Sequence, residues 1–283
     1  INTIKNGGME KMKVYITRDK EDFSQVMAQM ILKHMYSGKA RVNLSITAGI
    51  TPIRGYEILA ESVRGRNYFD NVHYYVFDDI FIRGDKKEIY RTTARGEEPK
   101  LWPVKNPNAG IVRENLDWKY FVPAGVKDDR IHDITEENYG DIDRMIAQAG
   151  GLDMIIMGLG PDGHICGNLP GTVPYWNQGA RKVRADTTPG TMKMVRSCLD
   201  EYHLTDESLL PEYYVSFGPK TVLDARHAIL IATGSEKADI VRRVLYDPVS
   251  LELPASVLQL HRDLTVLLDQ EAAADIMDKI GNQ

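Results

Sequence analysis

Short apolar runs of four to six residues alternate along this chain with stretches of helical periodicity, and this alternation constrains the fold more than any other feature. Residues 13–16 (KVYI), 42–47 (VNLSIT), 72–77 (VHYYVF), 154–157 (MIIM), 213–217 (YYVSF), 227–232 (HAILIA) and 264–268 (LTVLL) have the length and side-chain content of strands. Residues 22–36 carry Phe23, Val26, Met27, Met30 and Ile31 at helical spacing, with Gly38 just beyond as a stop. Residues 52–63 open with proline at a first helical position; 136–149, 236–245 and the segment from Gln270 also read as helices. Strands apolar on both faces need cover on both sides. The expected architecture is therefore α/β, a mostly parallel sheet between layers of helices.

Two stretches break this rhythm. Residues 83–113 are charged and hold Pro99, Pro103 and Pro107, which predicts a long excursion over the surface. Residues 171–200 are rich in glycine, proline and threonine with weak periodicity, which predicts an active-site flap. Strand–helix units resume after both, so a single domain is expected over residues 12–283. The beginning is polar, has no hydrophobic signal core and does not start with Met. Met9 and Met12 are candidate starts, and residues 1–11 are set aside as an extension.

Composition removes several function classes. With 40 acidic and 35 basic side chains the net charge is −5, so the general basic footprint of a nucleic-acid partner is missing. No apolar run approaches the roughly 20 residues that span a bilayer, so no membrane partner and a cytoplasmic location are expected. Cys166 and Cys198 are too few for a disulfide framework or a cysteine zinc site. No HExxH, paired Cys/His spacing or acidic calcium loop occurs, so neither metal nor cofactor is expected.

Three strands run directly into loops with unusual chemistry. In an open α/β sheet the carboxyl ends of parallel strands form the ligand crevice, so these loops should converge. The first, Ala48-Gly49-Ile50-Thr51-Pro52, leads into a helix whose free N–H groups and dipole suit an anion; the bare pattern also fits an ordinary strand-to-helix turn. The second ends in Asp78-Asp79, where a partly desolvated carboxylate suits a general base and a solvated turn or helix cap fits equally. The third, from Gly158 to His164, brackets Asp162 and His164 with Gly158, Gly160 and Gly163. An aspartate beside a histidine orients the ring and frees its other nitrogen for proton transfer. The other six histidines lack such a context and read as structural, and Cys166 reads as a small buried residue.

Five segments, LSITAGITP (44–52), VFDD (76–79), GGLDMIIMGLGPDGHICGNLPG (150–171), GPKTVLDARHAILIATGSEKA (218–238) and LPASVLQLH (253–261), together resemble the family of glucosamine/galactosamine-6-phosphate isomerases (deaminases) and 6-phosphogluconolactonases. They occur in the family's order and span nearly the whole chain after Met12. The resemblance implies a modified Rossmann-like α/β/α domain that acts on a phosphorylated sugar without a redox cofactor; a homo-oligomer is compatible with it. It implies that Gly49, Ile50 and Thr51 cradle the phosphate, with Lys237 and Arg196 as its basic contacts. It also implies that Asp78 is the base moving a proton between C1 and C2, and that Asp162 and His164 assist ring opening. His164 matches the catalytic histidine of the lactonases as well.

This chain departs from both activities in the family. Deaminases read Asn-Glu-Pro where it reads Asn168-Leu169-Pro170, so the carboxylate completing the ring-opening relay is absent. Lactonases show Asp-Glu-Arg where it has Asp78-Asp79-Ile80, and Ile50 replaces the usual glycine or serine. The expectation is an amino-sugar-phosphate deaminase or isomerase. A sugar-phosphate lactonase is the alternative, and a non-catalytic sugar-phosphate regulator stands third.

Overall fold

The computed structural model describes residues 2–6, 9–91 and 98–280. In chain order the strands among them are β1 (Asn2–Asn6), β2 (Met9–Thr17), β3 (Val42–Ser45), β4 (Val72–Tyr75), β5 (Asp78–Asp79), β6 (Glu88–Arg91), β7 (Lys100–Pro103), β8 (Ile131–His132), β9 (Met154–Gly158), β10 (Arg181–Arg184), β11 (Tyr213–Ser216), β12 (Ala228–Ala232) and β13 (Leu264–Asp269). The helices are α1 (Lys20–Met35), α2 (Ile53–Val63), α3 (Ile111–Leu116), α4 (Val122–Ala124), α5 (Ile142–Gln148), α6 (Pro189–Glu201), α7 (Pro219–Asp224), α8 (Ala238–Tyr246) and α9 (Met277–Ile280).

The main sheet has the order β1-β2-β13-β12-β9-β3-β4-β8. From β2 to β8 every pairing is parallel, and β1 adds an antiparallel edge strand from the segment set aside as an extension. Side chains of the central strands alternate between two cores, as a pleated strand requires. Met154 and Ile156 of β9 join Ile229, Ile231 and Leu267 beneath α1 and α2. Ile155 and Met157 join Leu230, Val266 and the buried faces of α5, α7 and α8. This is the three-layer α/β/α arrangement with both sheet faces covered.

The chain leaves β3 toward β4 on one side and leaves β9 toward β12 on the other. The boundary between β3 and β9 is thus a topological switch point, where the loops after the two strands part and leave a crevice.

Several predicted elements take a different form. Residues 213–217 contain β11, but it joins an antiparallel three-stranded sheet, β10-β11-β5, instead of the main one. The expected surface excursion contains the hairpin β6–β7 and the start of α3; residues 92–97 lie outside the described residues. The expected flap at 171–200 contains β10 and α6. Thr188 caps α6 reciprocally with Thr191, and Val195, Cys198 and Leu199 are buried with Ile80, Val183 and Tyr214 in a third core. Of the helix expected at 136–149, only Ile142–Gln148 is α-helical. The Thr135 N–H donates to Asn138 Oδ1 at 2.7 Å, and that side-chain bond favours a turn before the helix begins.

Candidate functional site

A cavity of about 420 Å³ opens beside the switch point. Gly49 and Ile50 after β3, Asp78 after β4, and Gly167 with Tyr214 form its wall, and the inner face of α6 forms its roof.

The turn after β3 is built for close approach. Gly49 has φ +95°, which L side chains rarely adopt, and a Cβ placed there would meet nothing within 4 Å. Its left-handed backbone turns the chain into α2, and the buried Tyr56 hydroxyl donates to the Thr47 carbonyl at 2.6 Å to hold the turn. Ile50 is 47% exposed.

The two aspartates of the acidic pair have opposite tasks, because neighbouring strand residues point to opposite sides. Their backbone pairs with Ser216 and Val215 of β11. Asp79 is 1% exposed and accepts from the N–H groups of Val112 at 2.9 Å and Arg113 at 3.1 Å, so it clamps the start of α3. Asp78 faces the cavity. Burial raises its carboxyl to about 7 against the opposing charge of His164 nearby. A carboxyl near neutrality serves proton transfer at carbon better than an ordinary one.

After β9, the His164 Nδ1–H donates to Asp162 Oδ1 at 2.6 Å, leaving Nε2 available. Burial opposes ionisation of Asp162, yet the hydrogen bond and charge of His164 hold its carboxyl below the ordinary range. Beyond this pair the Asn168 N–H closes a turn on the Ile165 carbonyl at 3.0 Å, with Cys166 at φ +50° inside it. That strained turn presents Gly167 to the cavity, where its carbonyl accepts from Tyr214 Oη at 2.9 Å. Cys166 is buried, and its thiol is raised far above the ordinary range by burial and by Asp78, which leaves it a poor nucleophile. Leu169 is 3% exposed and packs beside Gly190 at the start of α6, so it brings no carboxylate to the site.

Lys237 sits at the entry to α8, next to Gly234, whose N–H donates to Asp269. Its Nζ donates to the Leu159 carbonyl at 2.7 Å, at the β9 end of the crevice; Lys237 does not line the cavity. Thr51 lies just beyond Ile50 and likewise stands outside the lining. Arg196 departs from expectation. Met194, Ser197, Cys198 and Glu201 form the helical stripe of α6 that faces the cavity, and Arg196 falls outside that stripe. Its guanidinium pairs with Glu207 at 3.2 Å on the surface. Asp162 and His164 do not line the cavity either, nor does any other histidine; four of those form two pairs, His34 with His227 and His73 with His132. Among the described residues no three His, Cys, Asp or Glu side chains converge as metal ligands would, and no helix is long and apolar enough to cross a membrane.

Sequence reasoning missed Asn115, Lys119, Arg91 and Glu201, all lining the cavity. Ile111, Asn115 and Lys119 recur every four residues, a helical signal that starts inside the expected surface excursion at 83–113 and runs past its end. Between α3 and α4 the helix widens into a π-helical turn, Asp117–Phe121, and Lys119 lies within it.

Comparison with known proteins shows the family. Residues 18–267 match the model of the family described as glucosamine-6-phosphate isomerases/6-phosphogluconolactonase. A glucosamine-6-phosphate deaminase of Rhodopirellula baltica is 30% identical, covering 96% of this chain and 99% of the relative. One from Corynebacterium urealyticum is 26% identical over 94% of this chain and 93% of the relative. Among solved structures, a monomeric glucosamine-6-phosphate deaminase superposes with a TM-score of 0.71 at 24% identity, covering 93% of this chain and 100% of that one. A 6-phosphogluconolactonase from Thermotoga maritima gives 0.62 at 17% identity over 92% and 99%. Likenesses at this level of identity carry the fold.

Proposed function

Because the chain belongs to the family of glucosamine-6-phosphate isomerases and 6-phosphogluconolactonases, we propose that it is an aldose–ketose isomerase or deaminase of an amino-sugar phosphate. The observation that carries this reading is Asp78, a partly buried carboxyl raised to about 7 by desolvation, in the same cavity as the Gly49 turn. The sugar's phosphate rests at the turn of Gly49, Ile50 and Thr51, with Lys237 across the β9 end. Its reacting carbons lie toward Asp78. His164, oriented by Asp162, exchanges a proton with the ring oxygen through Nε2 and opens the ring. Asp78 then takes the proton from C2 and returns it to C1. Water adds at C2, the amino group leaves as ammonia, and a ketose phosphate remains.

Leu169 favours a second reading. Without a further carboxylate at that position, the Asp162–His164 pair is the simpler device of a lactonase, in which the histidine activates water. Assaying hexosamine phosphates for ammonia release and 6-phosphogluconolactone for ring opening separates the two. Ammonia release is expected. It should be slow beside a site holding a full relay, since a positioned acid–base group contributes roughly 10²–10⁴-fold. Rapid lactone opening without any ammonia release would overturn the proposal in favour of the lactonase.

A further inference from the structure

We propose that Arg181, which stands outside the cavity lining, is a positioning residue: through Asn168 it holds the turn at residues 165–168 against Asp78. The proposal rests on the reading of Asp78 as the base and names what keeps that base in its setting.

The small sheet carries the argument. Arg181 of β10 stands directly opposite Ser216 of β11, and Ser216 stands directly opposite Asp78 of β5. Directly opposed residues of an antiparallel sheet project to the same face, so the three form one row. The turn that follows His164 lies along this row and is tied to it. Arg181 donates through Nη1 to Asn168 Oδ1. The Gly167 N–H donates to Ser216 Oγ at 2.8 Å. At the far end of the row Asp78 acts on the Cys166 thiol and is itself acted on by His164. Asn168 is fully buried and spends its amide on the carbonyls of Ile165 at 3.0 Å and Phe217 at 2.9 Å, which leaves its oxygen to Arg181.

Arginine is a poor choice here for packing alone. Arg181 is 8% exposed, burial works against its charge, and only Tyr214 and Cys166 act in favour of that charge. Its Nη2 reaches the Thr172 hydroxyl at 3.2 Å, and that hydroxyl donates to the Leu169 carbonyl at 2.8 Å. A buried cation without a carboxylate costs stability; what the planar fork supplies is direction. Direction matters because Cys166 sits at φ +50°, which a non-glycine residue keeps only where its surroundings enforce it. The fit against β11 is close as well: a Cβ on Gly167 would meet Tyr214 Cε2 at 2.7 Å and Ser216 Cβ at 2.8 Å. Held in this way, Gly167 and Tyr214 wall the cavity beside Asp78 and shield its carboxyl from water. The titratable groups that face Asp78 are His164, Cys166 and Tyr214, and of these His164 opposes the rise that desolvation causes.

Arg181→Met keeps the stem and removes the fork. It should lower kcat by about 10- to 100-fold with KM little changed, the scale of loss that a misplacement of about 1 Å brings. Water reaching Asp78 should also move the limb of kcat/KM from near pH 7 to lower pH, which a loss of stability alone would not do. Arg181→Lys retains one donor for Asn168 and should recover part of both. Without any substrate, the stability that Asp78→Asn adds at pH 8 should be smaller in the Arg181→Met background than in the wild type. Unfolding midpoints show which variants fold; should Arg181→Met not fold, Arg181→Lys decides by the same readouts. Wild-type kcat, or a lowered kcat with the limb and the Asp78→Asn effect both unmoved, overturns the proposal. A wild type that turns over neither hexosamine phosphate nor lactone overturns the reading of the site, and the stability measurement then decides the proposal alone.

Discussion

Asp78 and Asp79 are identical in sequence and opposite in role. One caps α3 through the backbone N–H groups of Val112 and Arg113 and accepts from that of Ile80 as well; the other faces the cavity with a pKa of about 7. Their placement makes Asp78 a group whose desolvation costs stability once it ionises. Between about pH 4 and pH 7 the native state keeps the Asp78 proton and the unfolded chain loses it, so the group's contribution falls as pH rises and its cost is complete above pH 7. At 1.36 kcal/mol per unit the shift from 3.8 to about 7 sets that cost at up to about 4 kcal/mol. Asp78→Asn should abolish turnover and stabilise the protein at pH 8, with little effect at pH 4. Denaturant unfolding at both values checks this, and equal effects at the two would contradict it. In the wild type, kcat/KM should rise with pH through a limb near 7 as the base ionises. The residues alone marked the pair as a candidate base and the family resemblance singled out Asp78, but the spacing did not say which member turns inward. That depends on the register of β5 against β11, a contact more than 130 residues distant in the chain.

At the scale of elements, the strands buried on both faces were legible because their apolar character is continuous. Helix α6 was not. One stripe of it packs in a core, but its Met194, Ser197, Cys198 and Glu201 line a cavity with mixed polarity, and that blurs the amphipathic pattern. The capping box is the clearer sign in retrospect: the Thr191 N–H donates to Thr188 Oγ1 at 3.2 Å, and the Thr188 N–H donates to Thr191 Oγ1 at 3.0 Å. Thr188→Ala should destabilise the protein by about 1 kcal/mol and speed amide exchange in the first turn of α6. Unchanged exchange there would show that the third core, and not the cap, holds the roof in place. Arg196 was misplaced for a related reason: without the phase of α6, an arginine near the end of a supposed loop looks free to reach any ligand.

For the whole molecule, strand order explains why loops so far apart in the chain lie along one edge of the sheet. The switch between β3 and β9 brings the Gly49 turn beside the Gly158–His164 loop, and the neighbouring β4 carries Asp78 to the same edge. The meeting of the loops after β3 and β4 at one cavity was legible from the strand–loop pattern; Asp162 and His164, expected there too, do not line it, and the residues that β6 and the π-helical turn contribute were hidden in connections that the pattern leaves undefined. In the proposed reaction Asp78 moves a proton on carbon. The most direct test is glucosamine 6-phosphate incubated in D₂O, with carbon-bound deuterium followed by NMR alongside ammonia release. The wild type should introduce deuterium at C1 or C2 as ammonia appears, since a carboxyl proton exchanges with solvent, and Asp78→Asn should do neither. An enzyme that opens 6-phosphogluconolactone while leaving the hexosamine phosphate free of deuterium would contradict the claim.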